Sequence, residues 1–134
     1  MEKDRIMLDT SAYSAFLRGN AEIKRVLQKA DEIFVNPVIL GELLGGFVMG
    51  RQEKKNRPLL EEFLASPRVS IIAVDEETAE RYAVILNYLR QRGTPIPTND
   101  LWIAASAMQY GLKLVTTDRH YLKVPQVITE YYEG

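Results

Sequence analysis

The stretch Ile33–Gly50, IFVNPVILGELLGGFVMG, carries a single charged residue, Glu42, and admits two readings. As a membrane span it would place Glu42 near the bilayer centre, at about 3 kcal/mol, and would be broken by Pro37 near one end. As a soluble element it divides naturally. Ile33-Phe34-Val35 forms a short buried strand, Asn36 caps a helix, Pro37 takes the first helical position, and the helix runs Pro37–Met49. The second reading carries no such penalty. It makes the stretch a strand-to-helix unit and explains it better than a membrane span.

Working outward, the same alternation recurs. Ile6-Met7-Leu8 reads as a first buried strand ending at Asp9. Ser11–Arg18 forms a short helix closed at Gly19, and Ala21–Ala30 places Ile23, Val26, Leu27 and Ala30 at helical spacing. After the deciding stretch, Arg51–Arg57 is polar and basic, and Pro58 is expected to open a helix to Ala65. Val69–Val74 is a third strand, followed by Asp75-Glu76-Glu77, acids suited to a cap and first helical turn. The helix to Arg92 stops at Gly93. A Pro-rich connection, Thr94–Asn99, leads to a helix over Asp100–Tyr110. Leu112–Thr116 is a fourth strand, and Gln126–Ile128 a short fifth. Such alternation predicts one α/β domain over residues 1–134: a three-layer α/β/α sandwich with a central, mainly parallel sheet of four to five strands.

Composition narrows the function classes. The 134 residues have a net charge of −1, so any groove for nucleic acid must be local. The absence of cysteine rules out disulfides and thiolate metal sites, and fits a reducing cytoplasm. Met1–Arg5 is charged and the apolar run after it is too short for a signal peptide, so a cytoplasmic location is expected.

Four acids have apolar or small neighbours. Asp9 and Asp118 each follow a strand, and the carboxyl ends of parallel strands are where ligands bind. Taken alone, each is better explained as a cap or turn residue. Glu42 lies on a helical stripe with Val38, Ile39, Gly45 and Gly46, with no polar companion. The two glycines cost the helix roughly 1 kcal/mol each relative to alanine, which suggests close approach of another element or a ligand. Asp100 suits the first turn of its helix, yet its face continues as Ile103, Ala104, Ala107 and Met108, the side that should be buried. Two carboxylates about 4 Å apart repel by roughly 4 kcal/mol at an effective dielectric of 20. Several in one pocket therefore require a proton or a cation. Oxygen ligands favour Mg²⁺ or Mn²⁺ over zinc, and such ions carry out phosphoryl chemistry.

The segments LDTSAYSAFL (Leu8–Leu17), NPVILGELLGG (Asn36–Gly46), GTPIPTNDLWIAASAMQYGLKLVTTD (Gly93–Asp118) and the following HYLKVPQV, in this order and spacing, resemble the PIN-domain nucleases, and among them the VapC-type toxins of toxin–antitoxin pairs. The resemblance spans nearly the whole chain. It implies a metal-dependent endoribonuclease in which Asp9, Glu42, Asp100 and Asp118 bind Mg²⁺ or Mn²⁺, and in which a metal-activated water attacks an RNA phosphodiester in line. It also implies supporting roles for Ser11, Asn99 and, less directly, Thr117. The fourth acid is the variable one in this family, so the expected form is a core of Asp9, Glu42 and Asp100 with Asp118 assisting. Implied partners are the RNA substrate, a second copy of the chain in a homodimer, and a small antitoxin whose basic or bulky side chains block the acidic pocket.

Other features are given ordinary roles. His120, the only histidine, is left out of the chemistry as a loop residue. Trp102 is assigned to packing or an interface. The run Arg51, Lys54, Lys55 and Arg57 is as well explained by a solvated face as by an RNA backbone. A haloacid-dehalogenase phosphatase would need an acid where Ser11 stands. A receiver domain would need acids where Ile6-Met7-Leu8 is apolar, and no Gly-rich triphosphate loop is present. The alternative outside enzymes is a catalytically inactive PIN-like module that only binds RNA or protein; the presence of all four acids weighs against it.

Overall fold

A computed structural model of the chain describes residues 2–134. Its framework is a five-stranded, all-parallel sheet built from β1 (Arg5–Leu8), β2 (Glu32–Val35), β3 (Val69–Ile71), β4 (Lys113–Thr116) and β5 (Thr129–Tyr131). The spatial order is β3-β2-β1-β4-β5, with Met7 opposite Phe34 on one side and Leu114 on the other. Successive side chains of a strand point to opposite faces. Ile6, Met7 and Leu8 are all fully buried, so both faces of the central strand are covered. That is the three-layer α/β/α arrangement.

Six α-helices supply the cover: α1 (Thr10–Leu17), α2 (Ala21–Lys29), α3 (Pro37–Met49), α4 (Glu53–Leu64), α5 (Glu76–Arg92) and α6 (Thr98–Tyr110). Their starts follow from local chemistry. Asp9, Asn20, Asn36 and Asp75 each accept a backbone N–H of the first turn. At α5, Asp75 and Thr78 complete a reciprocal capping box. Gly93 and Gly111 close α5 and α6 in the left-handed region that glycine enters without a Cβ penalty.

The deciding stretch folds as read, strand then helix, with Pro37 at the first helical position. Asn36 is fully buried there. Its Oδ1 accepts from the Ile39 N–H at 2.9 Å and its Nδ2 donates to Ser106 Oγ at 2.9 Å, which locks the start of α3 to α6. Trp102 stacks on Tyr82 of α5 with ring centroids 4.3 Å apart, a packing role.

Three expected boundaries move by three residues or more, and α6 opens two residues early, at Thr98. The fourth helix opens at Glu53 rather than Pro58, so Pro58 lies inside it. Ion pairs of Arg57 with Glu53 and Glu61, one turn either side, and burial of Leu60 carry the helix through the proline. The third strand ends at Ile71 rather than Val74, because β3 is a sheet edge: Ile71 is exposed and only the Ile72 N–H still reaches back to Val35. The fifth strand forms at Thr129–Tyr131, beyond Gln126–Ile128. Ile128 is largely exposed and offers only its carbonyl to Leu114.

Candidate metal centre and active site

The chain builds β1, β2 and β3 toward one side of the sheet, then places β4 on the opposite side of β1. The carboxyl ends of β1 and β4 therefore flank the point where the winding reverses, the place where open α/β sheets hold their ligands. Asp9 stands directly after β1, and Asp118 two residues after β4.

Asp9 is 2% exposed and both of its carboxylate oxygens accept hydrogen bonds. Oδ1 accepts from the Ala12 N–H and from Ser11 Oγ, both at 2.8 Å, and Oδ2 accepts from Thr116 Oγ1 at 2.8 Å. Burial pushes its pKa up to about 6, against the lowering effect of these hydrogen bonds and with a further upward contribution from the charge of Asp118. The site thus holds a carboxylate at a cost that a cation would relieve.

Asp100 enters from the first turn of α6 and is also buried. Tyr121, 1% exposed, donates to its Oδ1 at 3.2 Å, and its Oδ2 lies 2.8 Å from His120 Nδ1. Burial raises the Asp100 pKa, with hydrogen bonding from His120 opposing. Asp118 caps the short 3₁₀ turn Arg119–Lys123 by accepting the His120 N–H at 2.9 Å, and the same Oδ1 lies 3.2 Å from the His120 ring nitrogen. Donor atoms of Asp100, Asp118 and His120 all fall within 4.8 Å of one another; among the described residues they are the one such group of three metal-ligating side chains.

Glu42 reaches this region from α3. Its Oε1 accepts from Thr10 Oγ1 at 2.6 Å and its Oε2 from Asn99 Nδ2 at 3.3 Å. Thr10 neighbours Asp9 and Asn99 neighbours Asp100, so Glu42 is tied to the bases of both acids. It also lines a depression of about 380 Å³ with Thr10, Ser14, Arg18, Gly46 and Asn56. The proposed explanation for Gly45 and Gly46, close approach by another element, does not hold: a Cβ at either glycine would meet nothing of this chain within 4 Å. Both glycines leave their side of α3 open to solvent.

Asp9, Asp100 and Asp118 thus come from three segments to one sheet edge, and Glu42 is joined to it through Thr10 and Asn99; Ser11 is bonded to Asp9 and Asn99 to Glu42. Asp118 belongs to the tight group with Asp100 and His120, which Asp9 and Glu42 do not enter. Thr117 contributes its backbone N–H to Ser11 Oγ at 3.0 Å, while its side chain packs beside Gly134. The hydroxyl that reaches Asp9 belongs to Thr116, one residue earlier, because strand alternation turns Thr116 inward. Sequence reasoning also missed Thr10 and Tyr121, and it set His120 aside. The signal for all three was adjacency to an acid: Thr10 follows Asp9, and His120 and Tyr121 follow Asp118 within three residues. Arg57 of the basic run is taken up by its pairs with Glu53 and Glu61.

Comparison with known proteins extends this picture. The PIN domain family model matches residues 6–127. Ribonuclease VapC4 of Mycobacterium tuberculosis is 31% identical over 93 residues, 69% of this chain and 72% of that protein. Ribonuclease VapC of Rickettsia bellii is 29% identical over 91% of this chain and 92% of its own length. Among solved structures, VapBC2 from Rickettsia felis bound to a promoter DNA fragment superposes with a TM-score of 0.84 at 27% identity, covering 95% of this chain and 98% of that one. DNA-bound VapBC from Salmonella typhimurium gives 0.83 at 25% identity, covering 95% and 97%.

Proposed function

Because the chain belongs to the PIN-domain family, on its VapC branch, we propose that it is a divalent-metal-dependent endoribonuclease and the toxin of a toxin–antitoxin pair. The observation that carries this reading is the close group of Asp100, Asp118 and His120 at the carboxyl edge of β4, with Asp9 beside Asp118 at the end of β1 and Glu42 tied to their neighbours Thr10 and Asn99.

The donor set fits a divalent cation. Asp9, Asp100, Asp118 and Glu42 would hold Mg²⁺ or Mn²⁺, directly or through water, and Ser11, Thr116 and Asn99 would support them. Such an ion supplies positive charge that favours ionised water and offsets charge developing on the phosphate. The chain's own residues supply orientation. Ser11 and Thr116 fix both oxygens of Asp9, Tyr121 fixes one oxygen of Asp100, and Thr10 and Asn99 hold Glu42 by both of its oxygens. Each carboxylate is therefore set before substrate arrives, which is how electrostatic stabilisation avoids reorganisation during reaction. Hydrolysis of a phosphodiester then needs no side-chain nucleophile.

The depression beside Glu42 is lined by Ser14, Arg18 and Asn56, whose hydroxyl, guanidinium and amide are donors for an RNA strand. These are the donor types that position a phosphate backbone. The partners follow the same reading: an antitoxin, as in the VapBC complexes this chain resembles, and a second copy of the chain. Adjacent exposed Val48 and Met49 on α3 support a protein-facing surface. No helix of the described residues is long and apolar enough to cross a membrane, and a cytoplasmic site of action accords with the RNA substrate.

The test is a panel of structured and unstructured RNAs incubated with Mg²⁺ or Mn²⁺, comparing wild type with Asp9→Asn. Internal cleavage that is lost in Asp9→Asn and on chelation is the expected result. Cleavage that survives both would refute the proposal.

A further inference from the structure

Resting on that reading of the site, we infer that His120 is a direct metal ligand through Nδ1, completing a three-donor face with Asp100 and Asp118 that favours Mn²⁺ over Mg²⁺.

His120 Nδ1 stands at the spacing of a neighbouring ligand from both acids, in polar contacts of the metal-free site that a bound ion would replace. In an octahedral shell with metal–donor distances near 2.1 Å, adjacent donors stand about 3.0 Å apart. His120 Nδ1 lies 2.8 Å from Asp100 Oδ2 and 3.2 Å from Asp118 Oδ1. The donors are held where they stand. Tyr121 occupies the other oxygen of Asp100, which leaves Oδ2 facing the imidazole. Asp118 anchors the His120 backbone N–H, so the ring is carried on a turn fixed by a second member of the same group. The ring remains reachable from solvent, its side chain 42% exposed, as an ion arriving from water requires.

The chemistry sets the preference. Mg²⁺ takes oxygen donors and gives up water reluctantly, whereas imidazole suits the later divalent metals. Mn²⁺ accepts both donor types. One nitrogen among the oxygens therefore costs Mg²⁺ more than Mn²⁺.

His120 is the only histidine of the chain, which makes the test unambiguous. Mn²⁺ is titrated into the untagged full chain, wild type and His120→Ala, and the bound ion is read by pulsed EPR for directly coupled nitrogen. Mg²⁺ competition gives the relative affinities. The expected result is a nitrogen coupling in wild type that vanishes in His120→Ala, with Mn²⁺ binding weakened roughly tenfold or more and Mg²⁺ binding changed less. Circular dichroism of His120→Ala confirms that the variant is folded. Mn²⁺ bound to wild type without nitrogen coupling, or an unchanged Mn²⁺-to-Mg²⁺ ratio in His120→Ala, would overturn the inference and leave the acidic site standing. Failure of wild type to bind Mn²⁺ at all would remove both.

Discussion

Asp9 concentrates the tension in this molecule. Its pKa of about 6, produced chiefly by burial, means that the folded chain holds this proton to higher pH than the unfolded chain does. Between about pH 4 and pH 6 the native state therefore binds more protons, and stability falls as pH rises through that window. A shift of roughly two units corresponds to about 3 kcal/mol of stability lost by pH 7 in the metal-free protein. Asp9→Asn removes the charge and keeps an oxygen for the Ala12 N–H. It is expected to raise metal-free stability at pH 7.5 by about 1–3 kcal/mol in urea unfolding and to flatten the pH dependence, while abolishing RNA cleavage. A metal-free variant no more stable than wild type would show that the Asp9 charge carries no such cost. The neighbouring threonines separate by the same geometry. Thr116→Ala takes a hydroxyl from Asp9 and is expected to lower cleavage about tenfold or more, whereas Thr117→Ala, whose side chain packs beside Gly134, is expected to change it little. Equal effects in parallel kinetic assays would contradict this assignment.

At the scale of elements, α3 and α6 determine how Glu42 meets Asn99, the neighbour of Asp100. The buried Asn36 amide caps α3 and donates to Ser106 of α6, so one side chain sets both the start of a helix and its contact with the next. Asn36→Ala loses the cap and leaves the fully buried Ser106 hydroxyl without this partner. A destabilisation of about 2 kcal/mol is expected, measured by thermal unfolding. A loss below about 0.5 kcal/mol, the range of ordinary surface substitutions, would contradict the coupling. Asn36-Pro37 was legible in the sequence because an N-cap and an N1 proline are local signals. Pro58 misled for the same reason: it resembles a helix start, but the i, i+4 pairs of Arg57 and the burial of Leu60 extend the helix backward to Glu53. Local rules yield where flanking pairs and tertiary packing outweigh one lost hydrogen bond.

For the whole molecule, the parallel sheet was readable because apolar runs such as Ile6-Met7-Leu8 are uniform only when both faces are buried. The edge strands were not, since β3 and β5 alternate weakly and take their limits from the neighbours they pair with. In the same way, the four acids were visible as a set through the family resemblance, but which donors stand closest, His120 among them, was not. Asp100, Asp118 and His120 meet along the consecutive segments α6 and β4, but Asp9 joins Asp118 only because β4 lies beside β1, a consequence of strand order that no local window contains. The central claim is that this convergence forms one divalent-cation site, and thermal unfolding with and without Mn²⁺ tests it most directly. Wild type is expected to melt higher as Mn²⁺ is added, and Asp100→Asn to lose that shift while remaining folded. A wild-type melting temperature indifferent to Mn²⁺, or a shift retained in Asp100→Asn, would contradict it.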